Sequence, residues 1–201
     1  MPVVNSVRRL IIGITGASGA AYGVRLLEVL GDLGVETHLV ISKAGALSIE
    51  QELGLGIDQV RTKAAVVYPA GDIGARIASG SFRTDGMIIA PCTVRTMSEI
   101  ACGTTDGLIS RAADVVLKER RRLVLLVRET PLHLGHLRTM THLAEIGAII
   151  MPPVPAFYTH PQTLGHLIDH TVARALDLFG IETDLAPRWD GMQGTVKRVP
   201  Q

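Results

Sequence analysis

Short, almost unbroken apolar runs alternate with longer amphipathic stretches along this chain, and no other feature restricts its fold as much. The segments "RRLIIGIT", "ETHLVIS", "GMIIAPCT", "LVLLVRE" and "AIIMPPVP" have strand length and are rich in Val, Ile and Leu. Between them, "AAYGVRLLEVLGDLG", "KAGALSIEQELG", "VRTMSEIACG", "LISRAADVVLKERR" and "LHLGHLRTMTHLAEIG" repeat apolar residues at helical spacing, and "TLGHLIDHTVARALDLFG" supplies a last helix. Strands apolar on both sides need cover on both sides, and intervening helices make parallel neighbours the natural arrangement. The reading is an α/β fold: a doubly wound, mostly parallel sheet with helices on both faces, Rossmann-like in outline. The stretch from the second helix to "IASGSFRTD" reads as loop, with a short strand near residues 65–68. Prolines stop the strands of "GMIIAPCT" and "AIIMPPVP". All 201 residues fit one domain, with about 190–201 as a loose tail.

Composition narrows the partners. Twenty Lys and Arg stand against 19 Asp and Glu, so no overall field selects nucleic acid or an anionic membrane. The basic run Lys118 to Arg122 follows a helix and reads as a solvated helix end. Two cysteines, Cys92 and Cys102, make no disulfide framework, and Cys92 reads as a small buried hydrophobe. The histidines His133, His136 and His142 fall in no metal-ligand spacing and read as surface or interface groups, so no metal site is expected. The early apolar run is broken by glycines, no run is long enough to span a bilayer, and a cytoplasmic location is expected.

In doubly wound sheets ligands bind beyond the carboxyl ends of the strands. Those ends carry Thr15 to Gly19, Ser42 and Lys43, Pro91 to Thr96, Arg128 with Glu129, and Pro152 to Tyr158. Hydroxyls with one guanidinium suit a phosphorylated, polar-edged cofactor; taken singly, the same Ser and Thr would only cap helices. The glycine-rich turn "GITGASGAAYG" follows neither GxGxxG nor GK[ST], so anion binding and a plain tight turn both stay open on these residues alone.

The motifs "GITGASGAAYGVRLLEVL", "ISKAG", "ASGSF", "IIAPCT", "RAADVVLKERRRLVLLVRETPL", "GAIIMPPVPAFY", "HP" and "PRW" occur in order, and with them the chain resembles the UbiX-type flavin prenyltransferases from about Arg9 to Trp189. The resemblance implies transfer of a dimethylallyl group from dimethylallyl monophosphate to reduced FMN, with bonds formed at flavin N5 and then C6. It implies an FMN site of Gly16, Ala17, Ser18, Ser42, Thr93, Val94, Arg95, Thr96 and Arg128. The prenyl phosphate would meet Ser79, Gly80, Arg111, Lys118, Arg128, Glu129, Tyr158 and Arg174. Lys118, Arg128 and Arg174 would neutralise the leaving phosphate, Glu129 would give it a proton, and Glu52 with Ser18 would stand near the isoalloxazine. Trp189 would lay a π-face over the prenyl group or anchor the tail. Thr93 stands where many relatives carry serine and keeps the hydroxyl; Arg95 puts a bulky cation into the flavin-contacting segment.

The family resemblance further implies a homo-oligomer, a dodecamer with sites between subunits, and a UbiD-type decarboxylase as recipient of the product. Two other readings remain: a non-catalytic flavin-binding subunit of an aromatic acid decarboxylase complex, and an FMN-dependent cysteine decarboxylase. Against the latter, the place just before the strand, "ASGSFRTDGMIIAPCT", carries no histidine, and "PPVPAFYTHP" stands in place of a PxMNxxMW-like loop.

Overall fold

The computed structural model describes residues 8–189 and 191. Its strands are β1 (Arg9–Ile14), β2 (Glu36–Ile41), β3 (Val66–Tyr68), β4 (Gly86–Cys92), β5 (Arg122–Val127) and β6 (Ala148–Ile150). The helices are α1 (Ala20–Asp32), α2 (Lys43–Leu53), α3 (Ile57–Arg61), α4 (Val94–Ala101), α5 (Leu108–Lys118), α6 (Leu134–Glu145) and α7 (Leu164–Asp177). The strands form one sheet in the order β3-β2-β1-β4-β5-β6, and every pairing is parallel. Chain direction across the sheet reverses between β1 and β4, where the loops leaving the two strands part and open a crevice.

Alternate residues of each strand serve opposite layers. Leu10, Ile12 and Ile14 of β1 enter one core with Leu26, Leu27 and Leu30 of α1 and Val172 and Leu176 of α7. Ile11 of β1, with Met87 and Ile89 of β4, enters the other, against Leu108, Ala112 and Val116 of α5. β4 is buried at all seven positions, which accounts for its unbroken apolar run.

Two local expectations need correction. The segment after α2 is not all loop: α3 forms where the side-chain oxygen of Gln59 accepts from the Gly56 N–H at the helix start. β4 does not stop at its proline but runs through Pro91 to Cys92, because the carbonyl of Pro91 is used by Thr15 while proline's missing N–H is not needed there. β6, three residues long, ends before the prolines that follow Met151, as expected. The tail expected over 190–201 lies outside the described residues, Gly191 apart. Among the described residues no helix is long and apolar enough to cross a membrane.

Candidate active site

The crevice between β1 and β4 holds a cavity of about 630 Å³, lined by the loops that leave β1, β2, β4 and β5. Thr15, fully buried at the end of β1, ties its two sides together. Its hydroxyl donates to the Pro91 carbonyl at 2.7 Å and accepts from the Thr93 N–H at 2.9 Å, while its own N–H donates to the same carbonyl.

The glycine-rich turn owes its composition to close packing. A Cβ on Gly16 would collide with Ala44 at the start of α2, and Gly19 has φ of 105°, in the left-handed region that glycine enters freely. The turn delivers Gly16, Ala17 and Ser18 to the cavity wall. The N-terminus of α1 is already served, because Glu52 reaches from α2 and its Oε2 accepts from the N–H groups of Gly19 (2.8 Å) and Ala20 (2.9 Å). Burial pushes the Glu52 carboxyl up, but those N–H groups, the Ser18 hydroxyl and the Arg128 charge outweigh it, so it titrates below its ordinary value.

Two further helix starts meet the cavity with hydroxyl caps. Ser42 Oγ accepts from the Gly45 N–H at 3.0 Å, and Thr93 Oγ1 accepts from the Thr96 N–H at 3.1 Å and donates to Thr96 Oγ1 at 3.0 Å. Both readings of these residues therefore hold together: they cap α2 and α4, and they line the cavity. The α5 N-terminus, with no side-chain cap, reaches the same cavity through Gly107, Ile109 and Ser110. Arg95 lies along α4, its Nε donating to Glu99 at 2.8 Å, with 86% of its side chain exposed. It stands at the cavity rim rather than filling the slot. Arg128 and Glu129 are exposed at the end of β5 and close the opposite wall.

A cavity of this size, with small residues on one wall, hydroxyls and helix starts around it and a guanidinium at the rim, fits a flavin mononucleotide. Gly16, Ala17, Ser18, Ser42, Thr93, Val94, Arg95, Thr96 and Arg128 all line it, so the expected flavin set converges. Sequence reading placed Thr15 at a strand end without giving it a role, and left out Asp106, Gly107 and Ser110. Thr15 had a signal, a polar residue at the end of an apolar strand; Asp106 and Gly107 lie in the connection between α4 and α5 and Ser110 in the first turn of α5, and these had none.

The expected phosphate set does not converge within one chain. Arg128 and Glu129 are at the cavity. Lys118 ends α5, about 16 Å along that helix from its start at the cavity, next to Gly80 and paired with Glu119. Ser79 is in the same neighbourhood, hydrogen-bonded to Ser81, and Arg111 is paired with Asp114 on α5. Tyr158, Arg174 and Trp189 line a second cavity of about 410 Å³ beside the end of α7. That helix end lies at the amino edge of the sheet, where Arg8, just before β1, donates to the carbonyls of Phe179 and Gly180. Tyr158, read as part of the carboxyl-end set, lines this second cavity and not the one at the strand ends, and its ring meets Trp189 edge-on at 5.4 Å. Cys92 is fully buried and its thiol is pushed far up by desolvation, as expected of an inert core residue.

A parallel sheet in this order, with a hydroxyl-lined cavity at its switch point, defines an α/β flavoprotein, and the Flavoprotein family model matches residues 3–175. Within that class the chain belongs to the UbiX flavin prenyltransferases. It is 59% identical over 187 residues to flavin prenyltransferase UbiX of Escherichia coli (strain K12), covering 92% of this chain and 99% of that one. Its fold superposes with a TM-score of 0.92 on AnUbiX in complex with FMN and dimethylallyl pyrophosphate, at 48% identity, covering 93% of this chain and 100% of that one. A dodecameric FMN-dependent UbiX-like decarboxylase from Escherichia coli O157:H7 matches with a TM-score of 0.89 and 49% identity, over 91% of this chain and 100% of that one.

Proposed function

We propose that this prenyltransferase joins the dimethylallyl group of dimethylallyl monophosphate to reduced FMN held at the carboxyl ends of the sheet, and that the product serves a UbiD-type decarboxylase. The observation that carries the reading is the convergence of the turn after β1, the α2 and α4 caps and Arg128 on one cavity. Reduced FMN, when bound, supplies the electron-rich ring system that the prenyl group joins.

The rest of the work falls to the chain. Breaking the allylic C–O bond leaves negative charge on phosphate, and Lys118, Arg128 and Arg174 offset it. Glu129 hands the departing phosphate a proton. Glu52, fixed by two backbone N–H groups, and Ser18 beside it hold the flavin edge where the second bond forms. Because Lys118, the Tyr158–Arg174–Trp189 group and the Arg128–Glu129 pair lie in three places on one chain, each complete site draws on neighbouring copies. An assembly such as the dodecamer of the Escherichia coli O157:H7 protein supplies them.

Anaerobic titration tests this. The purified chain retains FMN through desalting, and adding dithionite and dimethylallyl monophosphate changes the flavin spectrum and yields a product that activates a separately purified apo UbiD-type enzyme. Retained FMN with no donor-dependent spectral change overturns prenyl transfer from this donor; a spectral change without activation overturns the recipient.

A further inference from the structure

The cavity beside the end of α7 is organised around a carboxylate. Asp177, only 17% exposed, receives two guanidiniums at once. Arg174 Nη1 donates to its Oδ2 at 2.6 Å, and Arg188 donates through Nη2 to Oδ1 at 2.8 Å and through Nη1 to Oδ2 at 3.3 Å. One carboxylate neutralises one guanidinium, so the trio keeps a net positive charge. Each arginine has five N–H donors; Asp177 takes one from Arg174 and two from Arg188, and the remainder can serve an anion.

The surroundings say which kind of anion. Arg188 immediately precedes Trp189, whose ring stands edge-on to Tyr158. The Tyr158 hydroxyl lies 3.0 Å from His170 Nε2. Two guanidiniums, a phenol hydroxyl and two aromatic rings lining one cavity suit a ligand with a phosphate head and a short apolar tail.

We propose that Arg188 is a further ligand of the donor phosphate, and that Asp177 is a positioning residue holding Arg174 and Arg188 side by side to receive it. This rests on the reading that Tyr158 and Arg174 belong to the donor site. Neither Arg188 nor Asp177 stands out in the sequence, since an arginine and an acid eleven residues apart across a helix end carry no motif.

Steady-state kinetics on the full-length protein, with FMN and dimethylallyl monophosphate varied separately, test it. Arg188→Ala raises KM for the donor at least about tenfold, the loss of charge-assisted hydrogen bonds, and leaves FMN binding within about twofold of the parent. Arg188→Gln, whose amide still donates to Asp177, does the same and stands in if the alanine variant is poorly folded by melting temperature. Asp177→Asn separates positioning from simple charge: it makes the site more positive, yet it raises donor KM because the guanidiniums are no longer held. A lowered donor KM in Asp177→Asn overturns the positioning role. Unchanged donor KM in both Arg188 variants, beside a raised one in Arg174→Ala, overturns the Arg188 assignment alone. Unchanged values in all three arginine variants overturn the donor reading of this cavity with it.

Discussion

Glu129 lines the cavity and Glu52 braces the glycine-rich turn that forms one of its walls, two carboxylates placed for different work. Glu52 is committed: the N–H groups at the start of α1 and the charge of Arg128 hold it ionised, which makes it an anchor and a poor proton source. Glu129 is exposed at the rim and, among the described residues, makes a single local hydrogen bond, accepting from the Thr130 N–H at 3.0 Å. It is free to meet a phosphate. Glu129→Gln keeps the size and loses the acid, so prenyl transfer under anaerobic reducing conditions is expected to slow on the order of a hundredfold or more, while FMN retained after desalting stays near the parent level. Full activity in that variant excludes Glu129 as the proton donor.

At the scale of elements, the cavity exists because two loops leave β1 and β4 in different directions and are then pinned together. Thr15 does the pinning through two hydrogen bonds from a side chain with no exposure to speak of. Thr15→Val keeps the shape but strands the Thr93 N–H, which is expected to cost about 1–3 kcal/mol and to lower the melting temperature. The same change frees the α4 N-terminus, so FMN affinity falls with stability, whereas Ser48→Ala, which removes only a bond to the Ala44 carbonyl within α2, leaves both close to the parent. Equal stability of Thr15→Val and the parent in thermal melts shows that the strands hold the cavity open without the bridge.

For the whole molecule, the separation of Lys118 from Glu129 has a direct consequence. Lys118 lies at the far end of α5 and Glu129 at the cavity, so the proposed assembly of sites between copies takes them from different chains. Lys118→Ala and Glu129→Gln are each expected to be nearly inactive alone. Co-assembled by mixing under dissociating conditions and reassembling, they regain a fraction of parental activity, because some sites then combine an intact Lys118 from one copy with an intact Glu129 from the other. No recovery, with mixed assemblies confirmed by mass, places both residues in sites built from a single chain.

Periodicity and composition sufficed for the layers, the helices flanking them and the carboxyl-end set, because burying a strand on both faces demands a run such as "LVLLV" and covering it demands an amphipathic helix such as α5. The motifs sufficed for the family. Local pattern did not reveal α3, whose five residues are too few to show a period, or the continuation of β4 through Pro91, which depends on a partner 76 residues away. Nor did it show that Gly16 is small on account of Ala44, that Asp177 gathers Arg174 and Arg188, or that Lys118 and Arg174 lie outside the cavity lined by the Arg128 they were grouped with. Backbone preference and hydrophobic spacing act over a few residues, and the sequence alone determined whatever they control. Which charged side chains meet is set by helix length and strand order, and only the tertiary structure decides those.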